Sequence, residues 1–111
     1  MYMQNLMYDP VVTYYDYTTS KAALIGLTRN LAKELGPKGI RVNLVAGGLL
    51  QTTDASSLTS EEVFGFVAQS TPLKKPTTVN EFAEACVYFA AKASDAVTGQ
   101  SLSVDGGLTM P

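Results

Sequence analysis

Apolar and polar positions follow a helical period early in this chain of 111 residues and change period twice afterwards. Leu24, Leu27, Leu31 and Leu35 fall at three- and four-residue steps, so this stripe is expected to face a core. Ala22, Ala23 and Gly26 make a small-residue face that permits close packing. Asp9-Pro10 reads as a turn ahead of this helix, and Thr13 as its cap, with Asp16 three residues on in a weak capping box. "GPKG" (36–39) ends it near Leu35, since proline cannot continue a helix and glycine suits the left-handed turn beyond one.

"IRVNLV" (Ile40–Val45) is too short and too β-branched for a helix and predicts a buried strand. The glycine-containing loop "AGGLLQTTDAS" follows it. Thr59 with Glu62 predicts a capping box opening a short helix that stops before Pro72. Thr78 with Glu81 predicts another, opening "VNEFAEACVYFAAK", in which Phe82, Cys86, Phe89 and Ala90 share one face and are expected in the core. "GQSLSV" reads as a last strand, and "DGG" (Asp105–Gly107) closes it as a turn. The order is helix, strand, helix, helix, strand. Strands joined by helical crossovers imply an α/β fold with a parallel sheet, which needs cover on both faces. Two strands do not complete such a sheet.

Composition narrows the chemistry. Hydrophobic residues at 46% and charged residues at 16% describe a globular chain rather than a disordered one. A net charge of −2 argues against nucleic-acid binding, and Lys74-Lys75 beside Pro76 reads as a solvated turn. The chain has no histidine, which excludes histidine acid–base chemistry and histidine metal sites. Cys86, the one cysteine, cannot form an internal disulfide and is expected to be a buried thiol. The first ten residues lack the pattern of a signal peptide, and no apolar run reaches membrane-spanning length. No membrane partner and a reducing, cytoplasmic setting are therefore expected.

"DYTTSK" carries the candidate chemistry. Tyr17 and Lys21, at i and i+4, project from one helix face. An ammonium beside a phenol favours the phenolate, and a tyrosine so placed can exchange a proton with a carbonyl or alcohol oxygen. The same ammonium can hold ribose hydroxyls. Taken alone, however, this spacing fits a solvent-facing pair more readily than a catalytic one.

Its context points elsewhere. Tyr17…Ser20-Lys21-Ala22, "GIRVN" leading into a strand, "GGLLQT" after it and "TGQSLSVDGG" near the end stand in order along almost the whole chain. In these motifs the sequence resembles the C-terminal half of the short-chain dehydrogenase/reductase family, of the 3-oxoacyl-acyl-carrier-protein reductase type. The resemblance implies a partial Rossmann-like, doubly wound parallel sheet, with only its C-terminal helix–strand–helix–helix–strand portion within residues 1–111. It also implies hydride transfer between NAD or NADP and a small-molecule carbonyl, alcohol or acyl thioester. Tyr17 would be the acid–base residue, and Lys21 its ribose-binding partner. Gly48, Leu50 and Thr52 would meet the nicotinamide carboxamide and the phosphates. Ser20 would be a packing position, Asn43 a backbone-organising one, and "DGG" a turn near a subunit contact. Homo-oligomers would form through the Tyr17–Leu35 helix and the C-terminal helix–strand unit.

Three departures limit that expectation. Gly47 stands where the family usually has proline, and Gln4 where it usually has a catalytic serine or threonine. The nine glycines nowhere make G-x-x-x-G-x-G, so no phosphate-cradling turn lies in these residues. The residues alone are therefore expected to show no turnover. The alternatives are a non-catalytic oligomerisation module, or a complete enzyme whose glycine-rich strand–turn–helix is encoded upstream of Met1.

Overall fold

A computed structural model describes residues 15–51 and 60–110. The elements are α1 (Tyr15–Leu35), β1 (Leu44–Gly47), α2 (Glu61–Ser70), α3 (Val79–Ala90) and β2 (Ser101–Val104), with 3-10 turns at Gly36–Lys38 and Lys92–Ser94. The predicted cap Thr13 lies outside the described residues. Gly39, at φ 74°, ends the turn after α1 and donates its N–H to the Gly36 carbonyl, as "GPKG" predicts.

β1 and β2 pair in parallel, with Leu44 opposite Ser101 and Gly47 opposite Val104. The strand expected at 40–45 begins later, because side chains replace the ladder over residues 41–43. Arg41 donates to the Ser94 carbonyl (2.8 Å) and hydroxyl (2.6 Å). Asn43 donates to the Val97 carbonyl (2.9 Å) and accepts from the Gln100 N–H (3.1 Å). Between them the Val42 N–H donates to Thr98 Oγ1 (3.0 Å), and the Val42 carbonyl accepts from the Gly99 N–H (2.7 Å). This clasp fixes the parallel register before the first ladder pair forms, so Asn43 does organise backbone.

The buried face of α1 is not the leucine stripe. Thr28 and Ala32 are buried, whereas Leu24 and Leu27 are 38% and 52% exposed, and Gly26 faces open space. Among the described residues the paired strands meet α1 only along a narrow ridge, and small residues allow the approach. An ideal Cβ at Gly99 would lie 3.5 Å from the Ala32 Cβ. The Thr28 hydroxyl is satisfied within the helix by the Leu24 carbonyl (2.7 Å).

α3 likewise buries no residue completely. Phe82 and Phe89 are half-buried, and Cys86 is exposed rather than a core thiol. Its predicted capping box is present, with Thr78 accepting from the Glu81 N–H and Glu81 accepting from the Thr78 N–H. The cap of α2 falls one residue later than expected. It is Ser60, whose hydroxyl accepts from the Val63 N–H, and not Thr59, which lies outside the described residues.

Lys75 forms an ion pair with Glu81. The Lys75 hydrogen bond, then the Thr78 N–H, lower the Glu81 carboxyl from 4.5 to about 2. Because the folded-state value is the lower one, this stabilisation is complete above about pH 4.5 and disappears as pH falls towards 2. Amide exchange at the start of α3 is therefore expected to accelerate between pH 4.5 and 2, beyond the intrinsic trend. In Glu81→Gln that extra acceleration is expected to vanish.

Beyond β2 the chain turns back on the segment after α2. The buried Asp105 carboxylate accepts from the N–H groups of Gly107 and Thr109 (both 3.0 Å) and from the Thr109 hydroxyl. The Gly106 carbonyl accepts from the Leu73 N–H (3.2 Å), which seats this turn on Thr71–Leu73. Asp105 is thus a turn carboxylate with its acceptor sites in use.

Candidate functional site

α1 runs antiparallel to the strands. Ala32 approaches Gly99, just ahead of β2, while Tyr17 lies fifteen residues upstream, about 22 Å along the helix axis. Tyr17 and Lys21 therefore stand towards the carboxyl ends of the strands, beside Gly47 and Gly48. In open parallel sheets this is where ligands bind.

A cleft of about 260 Å³ opens there, lined by Tyr17, Lys21 and Leu24 from α1, by residues 44–48, and by Leu50 and Phe82. Lys21 Nζ lies 5.4 Å from the centroid of the Tyr17 ring, within cation–π reach. Tyr17 is 45% exposed, so its ring is open to solvent and to a ligand. Ser20 is exposed too, and its hydroxyl donates to the Tyr17 carbonyl (2.8 Å), so it is neither a packed position nor an activated nucleophile.

The loop after β1 is held on both sides. The Gly48 N–H donates to the Val104 carbonyl (3.1 Å), and Leu50 forms a parallel bridge with Thr77. Gly48 and Leu50 thus reach the cleft with part of their main chain engaged in the fold, and the Leu50 side chain lies against Gly47. Tyr17, Lys21, Gly48 and Leu50 meet on one cleft; Thr52 and Gln4 lie outside the described residues. Among the described residues no group of histidine, cysteine, aspartate or glutamate could hold a metal ion.

Leu24 and Phe82 are walls that sequence reasoning missed. Both read as core positions on helical stripes, and no local motif marks either as lining a site. Phe82 and Leu50 crowd the space beside Gly47. An ideal Cβ there would meet Phe82 Cδ2 at 3.1 Å and Leu50 Cδ1 at 3.2 Å, closer than ordinary contact. Gly47→Ala is expected to cost about 1 kcal/mol in the parent chain and nothing, or a slight gain, in a Phe82→Ala background. A double-mutant cycle by urea denaturation checks the coupling; additivity would separate the two residues.

Comparison with known proteins gives the site its relatives. The sequence family described as Enoyl-(Acyl carrier protein) reductase matches residues 5–109. A glucose 1-dehydrogenase of Gluconobacter oxydans is 40% identical over 102 residues, which are 91% of this chain and 38% of the relative. A 3-oxoacyl-[acyl-carrier-protein] reductase of Chlamydia muridarum is 39% identical over 93 residues, 84% of this chain and 37% of its own length. The crystal structure of the 3-oxoacyl-[acyl-carrier protein] reductase from Brucella melitensis superposes with a TM-score of 0.81 at 36% identity, over 94% of this chain and 38% of that one. The chain thus spans under two fifths of the length of these three relatives.

Proposed function

Because the chain belongs to the short-chain dehydrogenase/reductase family, of the 3-oxoacyl-acyl-carrier-protein reductase type, we propose that it carries the proton-handling, substrate-side part of an NAD(P)-linked carbonyl/alcohol oxidoreductase site. The observation that carries this reading is that Tyr17, Lys21 and Gly48 border one cleft at the carboxyl ends of parallel strands.

The Tyr17 phenol donates a proton to the substrate oxygen in the reductive direction and takes it back in the oxidative one. The Lys21 ammonium, 5.4 Å from the centre of that ring, offers donors to ribose hydroxyls. Gly48 keeps that end of the cleft low, and the apolar walls at Leu24, Leu50 and Phe82 limit water at the reacting carbon. NAD(P), when bound, supplies the hydride. The residues fit one end of that cofactor, since small-molecule pockets usually measure about 300–1,000 Å³ and this cleft is smaller. No glycine-rich phosphate turn lies within the sequence.

NADH is therefore expected to bind residues 1–111 no more tightly than reduced nicotinamide mononucleotide, with both weakened in Lys21→Met. Calorimetric titration checks this. A tenfold or greater preference for the dinucleotide, about 1.4 kcal/mol, would mean that a bed for the second nucleotide is present.

A second reading, self-association without catalysis, is favoured by the exposure of Leu27 on α1 and of Val87 and Tyr88 on α3. Light scattering on Leu27→Glu tests it: an oligomer that becomes a monomer supports the interface, and one that persists rules out this face.

A further inference from the structure

Asp105-Gly106 is the one place in the sequence where glycine follows an aspartate or an asparagine. Glycine has no side chain to shield the main-chain nitrogen it contributes. At such a pair that nitrogen can attack the aspartyl Cγ and close a five-membered succinimide. The departing carboxyl oxygen leaves as water, taking the carboxyl proton and the amide proton. Water then adds at the main-chain carbonyl and breaks its bond to nitrogen. The product is isoaspartate, in which the chain runs through the side-chain carbons and the former main-chain carbonyl is a free carboxylate. One water is lost and one regained, so the step needs no further reactant.

The fold restrains both partners in that reaction. Asp105 is 5% exposed. Its Oδ1 accepts from the Gly107 N–H (3.0 Å), and its Oδ2 from the Thr109 N–H (3.0 Å) and hydroxyl. Either oxygen must shed these donors before it can leave. Gly106 is pinned as well, since its carbonyl accepts from the Leu73 N–H (3.2 Å). An ideal Cβ at Gly106 would lie 3.3 Å from Thr71 Cβ and Oγ1, on a residue that is itself buried. Lifting the turn from Thr71–Leu73 releases Gly106 and loosens the donors on Asp105 together.

We propose that Asp105-Gly106 is a modification site gated by the fold. The seated turn blocks isoaspartate formation, lifting the turn permits it, and the product keeps the turn from seating again. Isomerisation lengthens the main chain by one carbon between Cα of residue 105 and the Gly106 nitrogen. It also leaves the carboxylate directly on that Cα, one bond short of its former reach towards Gly107 and Thr109. A modified chain is thus a one-way record of local opening.

The purified chain, incubated near neutral pH with and without urea, tests this. Isoaspartate is counted by methyl transfer from S-adenosylmethionine with an isoaspartyl methyltransferase, and placed in the chain by electron-transfer fragmentation. Residue 105 is expected to isomerise about tenfold or more faster in urea, because the rate in buffer follows the population of the open turn. Gly107→Ala lifts the turn and Thr109→Val removes one donor from Oδ2. Each is expected to raise the rate in buffer about threefold or more and to leave the rate in urea unchanged. Equal parent rates in buffer and urea overturn the proposal, as does a parent rate in buffer that neither variant raises. Far-UV circular dichroism accompanies both variants. A rise seen only where the helices melt also overturns the gate, because protection then belongs to the fold as a whole.

Discussion

Gly107→Ala is expected to destabilise the chain by about 2–4 kcal/mol, the largest effect of any glycine substitution here. Two costs coincide at this position. Its φ of 86° lies where a residue with a Cβ is strained, by about 1–2 kcal/mol. The added Cβ would also lie 2.9 Å from Pro72 Cγ and 3.2 Å from its Cδ, and a proline ring fixed in the chain cannot swing aside. Relief requires the turn to lift from Thr71–Leu73, which strains the Asp105 bonds to Gly107 and Thr109 and the Leu73–Gly106 bond together. Urea denaturation checks the size. Gly26→Ala, in open space on a helix, is the control and should gain about 0.5–1 kcal/mol. A loss at 107 no larger than 1 kcal/mol would mean that this seat is soft.

Asn43→Leu is expected to cost about 1–3 kcal/mol and to loosen the sheet register. Leucine keeps the volume but leaves the Val97 carbonyl without its donor and the Gln100 N–H without its acceptor. An orphaned group costs about 1–3 kcal/mol where water cannot replace the partner. That applies to the part-buried Val97 carbonyl, whereas water can reach the exposed Gln100 N–H. Gln100 is also the residue whose carbonyl receives the first ladder bond, from Leu44, so the damage reaches the sheet directly. Faster amide exchange at Leu44 and Gly99, ahead of the rest of the chain, is the expected signature. Asn43→Asp keeps the acceptor and loses the donor, and should fall between the two. Uniform acceleration across all elements would indicate a general loss of stability and not a register clasp.

These positions show what local sequence can and cannot carry. Helix boundaries were legible because their causes are local. "GPKG" stops α1 at Leu35, and the Thr78–Glu81 box opens α3 where expected. The parallel pairing was legible from element order. Burial was not, because it depends on what lies opposite. Leu24, Leu27 and Cys86 occupy positions of the kind that face a core, yet among the described residues the paired strands meet α1 only at the ridge of Thr28 and Ala32. The strand start was misplaced for a related reason. Arg41 and Asn43 read as residues of an apolar run, while their side chains bond to residues more than fifty positions away. At the site, Tyr17 and Lys21 were legible as an i, i+4 pair, and Gly48 and Leu50 through the family resemblance. Phe82 was invisible, because only the fold brings α3 against Gly47.

The central claim is that Tyr17 and Lys21 are the proton-handling part of a site that needs more cofactor-binding surface than residues 1–111 supply. Nicotinamide absorbance, followed with the purified chain, acetoacetyl thioester and NADH or NADPH, tests it most directly. The account predicts no consumption above the protein-free rate with either cofactor. Steady consumption that Tyr17→Phe reduces by about a hundredfold or more would contradict it, since these residues would then form a complete enzyme.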